Sequence, residues 1–275
     1  MNIKFFSPFW GYEHEIFEHY CQRLAAAGFD GMELNLAEDP AAAEKQIEQL
    51  NANGLEYVAQ HSGTRMADFE THRTHYRTNL ERIAAFNPQL INAHTGRDFF
   101  TFEQNLQLIE IANEISQTSQ VSIIHETHRG RFSNLPSTTH RFIEAAPNLR
   151  FATDFSHWCV ATESFLEDHR EFVAATIERT EIIHARIGFE EGPQVNDPRA
   201  PEWRDAVEIH LEWWDQIIAC HIAKGSDILR ITAENGPPLY TPVLPYTQEP
   251  IASQWELNLH MLDVLKKRYL KNTTE

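Results

Sequence analysis

Short apolar runs alternate with longer amphipathic stretches along this chain, and the alternation predicts a repeating strand-helix unit. Eight runs read as strands: residues 3–7 (IKFFS), 31–35 (GMELN), 55–61 (LEYVAQH), 90–94 (LINAH), 121–126 (VSIIHE), 149–154 (LRFATD), 181–187 (EIIHARI) and 228–234 (ILRITAE). The clearest helical pattern runs from Glu202 to Ala223, where Trp203, Ala206, Val207, His210, Leu211, Trp214, Ile217, Ile218 and His221 recur at helical spacing. Gly225 is placed to stop it. A last helix is expected from Ser253 to Lys271, with Leu262, Leu265 and Tyr269 on one face. The long connection 188–201 (GFEEGPQVNDPRAP) holds too much Gly and Pro for a helix, and its length suits a lid or binding loop.

Eight such units without a flexible linker or a shift in composition predict one domain over residues 1–275, an α/β protein of the (β/α)8 TIM barrel class. A doubly wound open sheet is the alternative. No Gly-x-Gly-x-x-Gly follows the first strand, where a dinucleotide-binding sheet would need it.

A hydrophobic fraction of 42% over 275 residues is enough for a large core, and no apolar run approaches the ~18 residues of a membrane span. The N-terminal MNIKFFSPFW lacks the pattern of an export signal. Cys21, Cys159 and Cys220 are odd in number and widely spaced, which predicts reduced thiols and a cytoplasmic protein. The formal charge of -17 disfavours nucleic acid as a partner and is compatible with bound cations. A homo-oligomer is left open.

In a barrel of this kind the C-terminal strand ends form the active face. There the chain places His61, His94, Glu126, His128, Asp154, His157, His184, Arg186 and Glu234. Period-two alternation pairs Ala59 with His61, Asn92 with His94, Ala152 with Asp154, Ile182 with His184 and Thr232 with Glu234, each pair expected to face inward. His125 should face the helices. A single histidine or acid at a strand end is more often hydrogen-bonded than a ligand. Several converging on one mouth predict a divalent metal, because clustered carboxylates in a desolvated pocket repel one another unless a cation intervenes. Phe9, Trp10 and Trp158 suit either a sugar-binding wall or packing, and Arg129, Arg131 and Arg199 either bind an anion or act as counter-ions.

The stretches GFDGMEL (28–34), HSG (61–63), HETH (125–128), DFSHW (154–158), IIHARIG (182–188) and TAENGPP (232–238), in this order, resemble the xylose isomerase-like TIM-barrel superfamily. That superfamily includes sugar phosphate isomerases/epimerases, ketose 3-epimerases, dehydratases and endonuclease IV. The resemblance implies one divalent metal (Mn, Mg, Co or Zn) held by Glu126, Asp154, His184 and Glu234, with Glu126 and Glu234 as acid and base. His61, His94, His128, His157 and Arg186 are then expected to contact a small carbohydrate-like substrate, and the implied reaction is isomerisation or epimerisation of a sugar or sugar phosphate. Glu126-Thr127-His128 also resembles the strand-five motif of dehydroshikimate-type dehydratases. Endonuclease IV is the third comparison, but Asp197-Pro198-Arg199 stands where its Asp-x-His would lie.

Overall fold

Apolar side chains on both faces of a strand suit a sheet that is covered on both sides, and each expected run becomes such a strand. In the computed structural model, which describes residues 1–270, the strands are β1 (Asn2–Pro8), β2 (Gly31–Leu34), β3 (Glu56–His61), β4 (Ile91–Ala93), β5 (Ile123–Glu126), β6 (Phe151–Thr153), β7 (Thr180–His184) and β8 (Ile228–Thr232). They are parallel neighbours in chain order, and β1 pairs with β8 from Asn2↔Ile228 to Phe6↔Thr232, which closes the barrel. The helices are α1 (Phe17–Ala27), α2 (Pro40–Ala52), α3 (Phe69–Ala84), α4 (Phe102–Ser119), α5 (Pro136–Ala145), α6 (Ser156–Thr162), α7 (Arg170–Ile177), α8 (Arg204–Ala223) and α9 (Gln254–Tyr269). The architecture is the (β/α)8 TIM barrel expected from the pattern.

Local chemistry sets the element ends. Asp39, Asp68 and Thr101 cap α2, α3 and α4 through side-chain acceptors, and Gln104 completes a capping box with Thr101. Gly225 follows the end of α8 at φ +68°, the left-handed conformation that lets the chain turn away. The final helix ends at Tyr269; Lys271, its expected last residue, lies outside the described residues. His14 sits in a turn before α1.

Inside the barrel, Phe6, Val58, Leu90, Ile124, Ala152 and Ile182 form a closed apolar floor. Gly31 shapes it: a Cβ there would come within 2.4 Å of the Phe6 ring and 2.6 Å of the Glu56 carbonyl, so only glycine leaves room. The larger core fills the space between strands and helices. This floor fixes strand parity. Residues two and four positions beyond it point into the mouth, where the polar groups gather.

Candidate active site

Above the floor lies a layer of buried polar side chains, Glu33 from β2, Asn92 from β4, His184 from β7 and Thr232 from β8. Glu33 is 2% exposed, and no sequence argument above had assigned it a role. It accepts hydrogen bonds from Asn92 Nδ2 at 2.8 Å, Thr232 Oγ1 at 2.9 Å and His184 Nε2 at 3.0 Å. A carboxylate only accepts, so the Nε2 proton of His184 belongs to Glu33 and Nδ1 is turned toward the mouth.

His184 Nδ1 lies 2.7 Å from Glu234 Oε2 and 3.7 Å from Glu126 Oε2. Although close, Nδ1 and Glu234 Oε2 are both buried without an aligned hydrogen bond. Glu126 Oε2 accepts from His94 Nε2 at 2.8 Å and Asn92 Nδ2 at 2.9 Å. Asp154 Oδ1 accepts from Ser156 N at 3.0 Å and Oγ at 2.5 Å, and its Oδ2 accepts from Arg186 Nη2. Arg186 also reaches His157 Nε2 at 3.0 Å and Ser156 Oγ at 3.2 Å.

Burial and charge divide the carboxylates. Burial opposes ionisation of Glu126, but His94 and His184 hold it well below the usual carboxyl range. Burial raises Glu234 above that range, against the pull of His184 and Arg186. His184 is penalised by burial, yet Glu234, Glu33 and Glu126 together hold its protonated form well above the ordinary imidazole range. A proton or a metal cation can satisfy the same excess of negative charge.

Three groups of donor atoms lie within 4.8 Å of one another: His94, Glu126 and His128; Glu126, Asp154 and His157; and Asp154, His184 and Glu234. Of the four expected ligands, Asp154, His184 and Glu234 share one group, while Glu126 joins Asp154 in another and lies 3.7 Å from His184 Nδ1. Their donors are three carboxylates and one imidazole, a set suited to Mn, Mg, Co or Zn. His184 Nδ1 and Glu234 Oε2, close but without an aligned hydrogen bond, are the donors such an ion would take up.

Of the expected substrate contacts, His94, His128 and Arg186 line a cavity of about 560 Å³ at this mouth, together with Glu126 and Glu234. His157 is instead fully buried off the cavity wall, its ring tilted by 48° against that of His128 with centroids 3.9 Å apart, and His94 lies 4.6 Å from His128. Burial, then the His94 ring beside His128 and the His128 ring beside His157, holds both His128 and His157 well below the usual imidazole range.

His61 corrects the parity reading of β3. Val58 belongs to the floor, so Gln60 enters the cavity while Ala59 and His61 face the helices. The His61 ring bonds Thr64 Oγ1 at 2.7 Å and packs 5.7 Å from Tyr76 of α3. Burial, then His94, pushes it down to about 3. His125 faces outward as expected and bonds Thr95 Oγ1 at 2.7 Å.

Among the aromatic candidates, Trp10 lines the cavity, with its ring centroid 4.8 Å from that of Tyr240, another wall residue. Trp158 is core, its Nε1 donating to the Ser133 carbonyl at 2.9 Å, and Phe9 packs on Phe17. The 188–201 loop is a brace. Gln194 accepts from Gly236 N at 2.6 Å and donates to Thr241 Oγ1 at 3.1 Å, which fixes the segment that carries Tyr240. Arg199 chelates Asp197 through Nε at 2.8 Å and Nη2 at 2.6 Å, so it is a counter-ion.

A family model described as xylose isomerase-like TIM barrel matches residues 21–223. No curated protein matches the chain. Similar solved structures include the probable 3-DHS dehydratase AsbF involved in petrobactin synthesis from Bacillus anthracis, at 16% identity and TM-score 0.61, covering 96% of this chain and 99% of that one. Endonuclease IV from Thermus thermophilus aligns at 14% identity and TM-score 0.60 over 98% and 100%. A sugar phosphate isomerase/epimerase from Parabacteroides distasonis aligns at 11% identity and TM-score 0.57 over 95% and 98%. At these identities the likeness is one of fold. The match over 21–223, on a closed eight-stranded barrel, places the chain in the xylose isomerase-like TIM barrel family.

Proposed function

We propose that the barrel, acting as a single domain, is a divalent-metal-dependent isomerase or epimerase that moves a proton next to the carbonyl of a small polyhydroxy compound. The observation that carries this reading is the pair His184 Nδ1 and Glu234 Oε2, 2.7 Å apart and without an aligned hydrogen bond. Glu33 takes the far ring proton of His184 and leaves Nδ1 to face a second electron-rich atom, which favours a cation between them.

Glu126, Asp154, His184 and Glu234 would hold the ion. Bound there, it would polarise a carbonyl and its neighbouring hydroxyl and acidify the adjacent C–H. The protein supplies the rest. Glu126 and Glu234 project from separate strands, so one can remove the proton and the other return it. His94 and Asn92 fix Glu126 through two hydrogen bonds, holding one carboxylate oxygen in place. His128 and Arg186 offer contacts to substrate oxygens, and Trp10 with Tyr240 supplies the apolar wall.

The test is incorporation of solvent deuterium at the carbon next to the carbonyl, across a panel of ketoses, aldoses and their phosphates with Mn²⁺ present. Incorporation in at least one substrate, lost in Glu234→Gln, is expected. No incorporation anywhere in the panel would oppose the reading, and a rise in ultraviolet absorbance from a new conjugated alkene would move it to dehydration. The endonuclease reading loses support because Arg199 closes on Asp197 where a further metal ligand would be needed.

A further inference from the structure

Four arginines on the cavity wall take no part in the proton transfer proposed above. Arg65 follows β3, Arg97 follows β4, and Arg129 and Arg131 follow β5. The chain has 40 acidic residues against 23 Lys and Arg, so a surface arginine ordinarily meets a carboxylate. Among the described residues, none of these four has one within 4.0 Å.

Backbone holds Arg65, Arg97 and Arg131 together. Buried Arg131 donates from Nη1 to the carbonyls of Thr64 at 2.9 Å and Gly96 at 3.4 Å, and from Nη2 to Ser62 at 3.2 Å. It thereby fixes the residues just before Arg65 and Arg97. Arg97 Nη1 donates to the Arg65 carbonyl at 2.6 Å. Arg129 lies over the Tyr240 ring at 5.2 Å, and Arg186 over the same ring at 4.7 Å. Burial, then the charges of Arg65 and Arg97, pushes Arg131 down to about 10. Like charges gathered without an anion repel one another, and a bound anion relieves that repulsion while accepting charge-assisted hydrogen bonds.

We propose that Arg65, Arg97 and Arg129 form a subsite for an anionic group of the substrate, a carboxylate or a phosphate monoester. The proposal rests on the catalytic reading above and specifies its substrate class. Arg65 and Arg97 follow β3 and β4, whereas Asp154, His184 and Glu234 belong to the β6 to β8 side, and Arg129 reaches across to Tyr240 beside Arg186. An anion held by Arg65 and Arg97 therefore enters from the β3 and β4 side of the mouth. Asn35, Gln60 and Ser62 line the cavity on the β2 and β3 side and can meet hydroxyls along the substrate.

The experiment is calorimetric titration of the full chain with inorganic phosphate and with tartrate, after chelation and again with Mg²⁺ loaded. Chelation removes direct metal coordination of the anion. At least one anion should bind the chelated protein, more weakly as salt rises. The Arg65→Gln/Arg97→Gln double variant should bind it at least about tenfold more weakly, with unchanged circular dichroism and Mg²⁺ affinity. Failure of both anions to bind the wild type at millimolar concentration, or equal binding by the double variant, would overturn the subsite. Preference between the two anions identifies the carboxylate or the phosphate source. Deuterium exchange separates the two levels. Exchange of an anionic substrate that the double variant leaves untouched keeps proton transfer and removes the subsite, whereas anion binding lost in the double variant with no exchange in any substrate keeps the subsite and removes proton transfer.

Discussion

Glu33 on β2 and His184 on β7 meet inside the barrel at 3.0 Å, both nearly inaccessible to solvent. A carboxylate on one ring nitrogen sets the tautomer and orientation of the other, as in metal sites where an acid backs a ligating histidine. Replacing Glu33 by Gln keeps the shape but removes the charge behind the ring. Divalent-ion affinity is expected to fall about 10- to 100-fold with the fold intact, read by titration with Mn²⁺. Equal affinity would remove Glu33 from this role.

Arg186 bridges Asp154, Ser156 and His157 at a buried position. Arg186→Met would leave Asp154 buried without its cation, at a cost of roughly 3–5 kcal/mol. Urea unfolding of the chelated protein should show that loss, and added Mn²⁺ should recover part of it. A variant as stable as the wild type would contradict the bridge.

Gly188 lets the segment after β7 touch α6, since a Cβ there would sit 2.6 Å from Ser156 Cβ and 2.7 Å from its Cα. Gly188→Ala must therefore push that segment, which carries Arg186, away from Asp154. A destabilisation of about 1–3 kcal/mol is expected, together with lower activity. Full activity with wild-type stability would show that the close approach is unnecessary.

His210 accepts from Gly188 N through Nε2 at 3.2 Å and points Nδ1 at the Ala206 carbonyl 2.9 Å away, so its ring is held neutral. Burial pushes it down to about 4. Above pH ~6.5 both folded and unfolded chains keep this ring neutral, and it has no effect on stability. Below that, only the unfolded chain takes up the proton, so stability falls as pH drops toward the folded value of about 4. The slope reaches about 1.4 kcal/mol per pH unit for the one group. Chemical denaturation at pH 7, 6, 5 and 4 should show a shallower slope for His210→Gln than for the wild type. Equal slopes would mean that His210 is not the group responsible.

The barrel was legible because apolar runs and helical periodicity repeat eight times, and most of the mouth was legible because inward parity is unambiguous on β4 to β8. Parity failed on β3, where Tyr57, Val58 and Ala59 are consecutively apolar and carry no alternation. His61 was accordingly placed on the wrong face. Glu33 was missed for a related reason: a lone acid inside GMEL is a weak signal until Met32 and Leu34 are known to face the helices. The arginine subsite depends on Arg131 drawing together loops more than thirty residues apart, a relationship that no local pattern encodes.

The central claim is a single divalent-ion site at Glu126, Asp154, His184 and Glu234, and its most direct measurement is a count of bound Mn²⁺ per chain by equilibrium dialysis and elemental analysis. One tightly bound ion per chain is predicted, falling toward zero in the His184→Gln/Glu234→Gln double variant while circular dichroism stays unchanged. No bound ion in the wild type, or an undiminished count in the folded double variant, would contradict it.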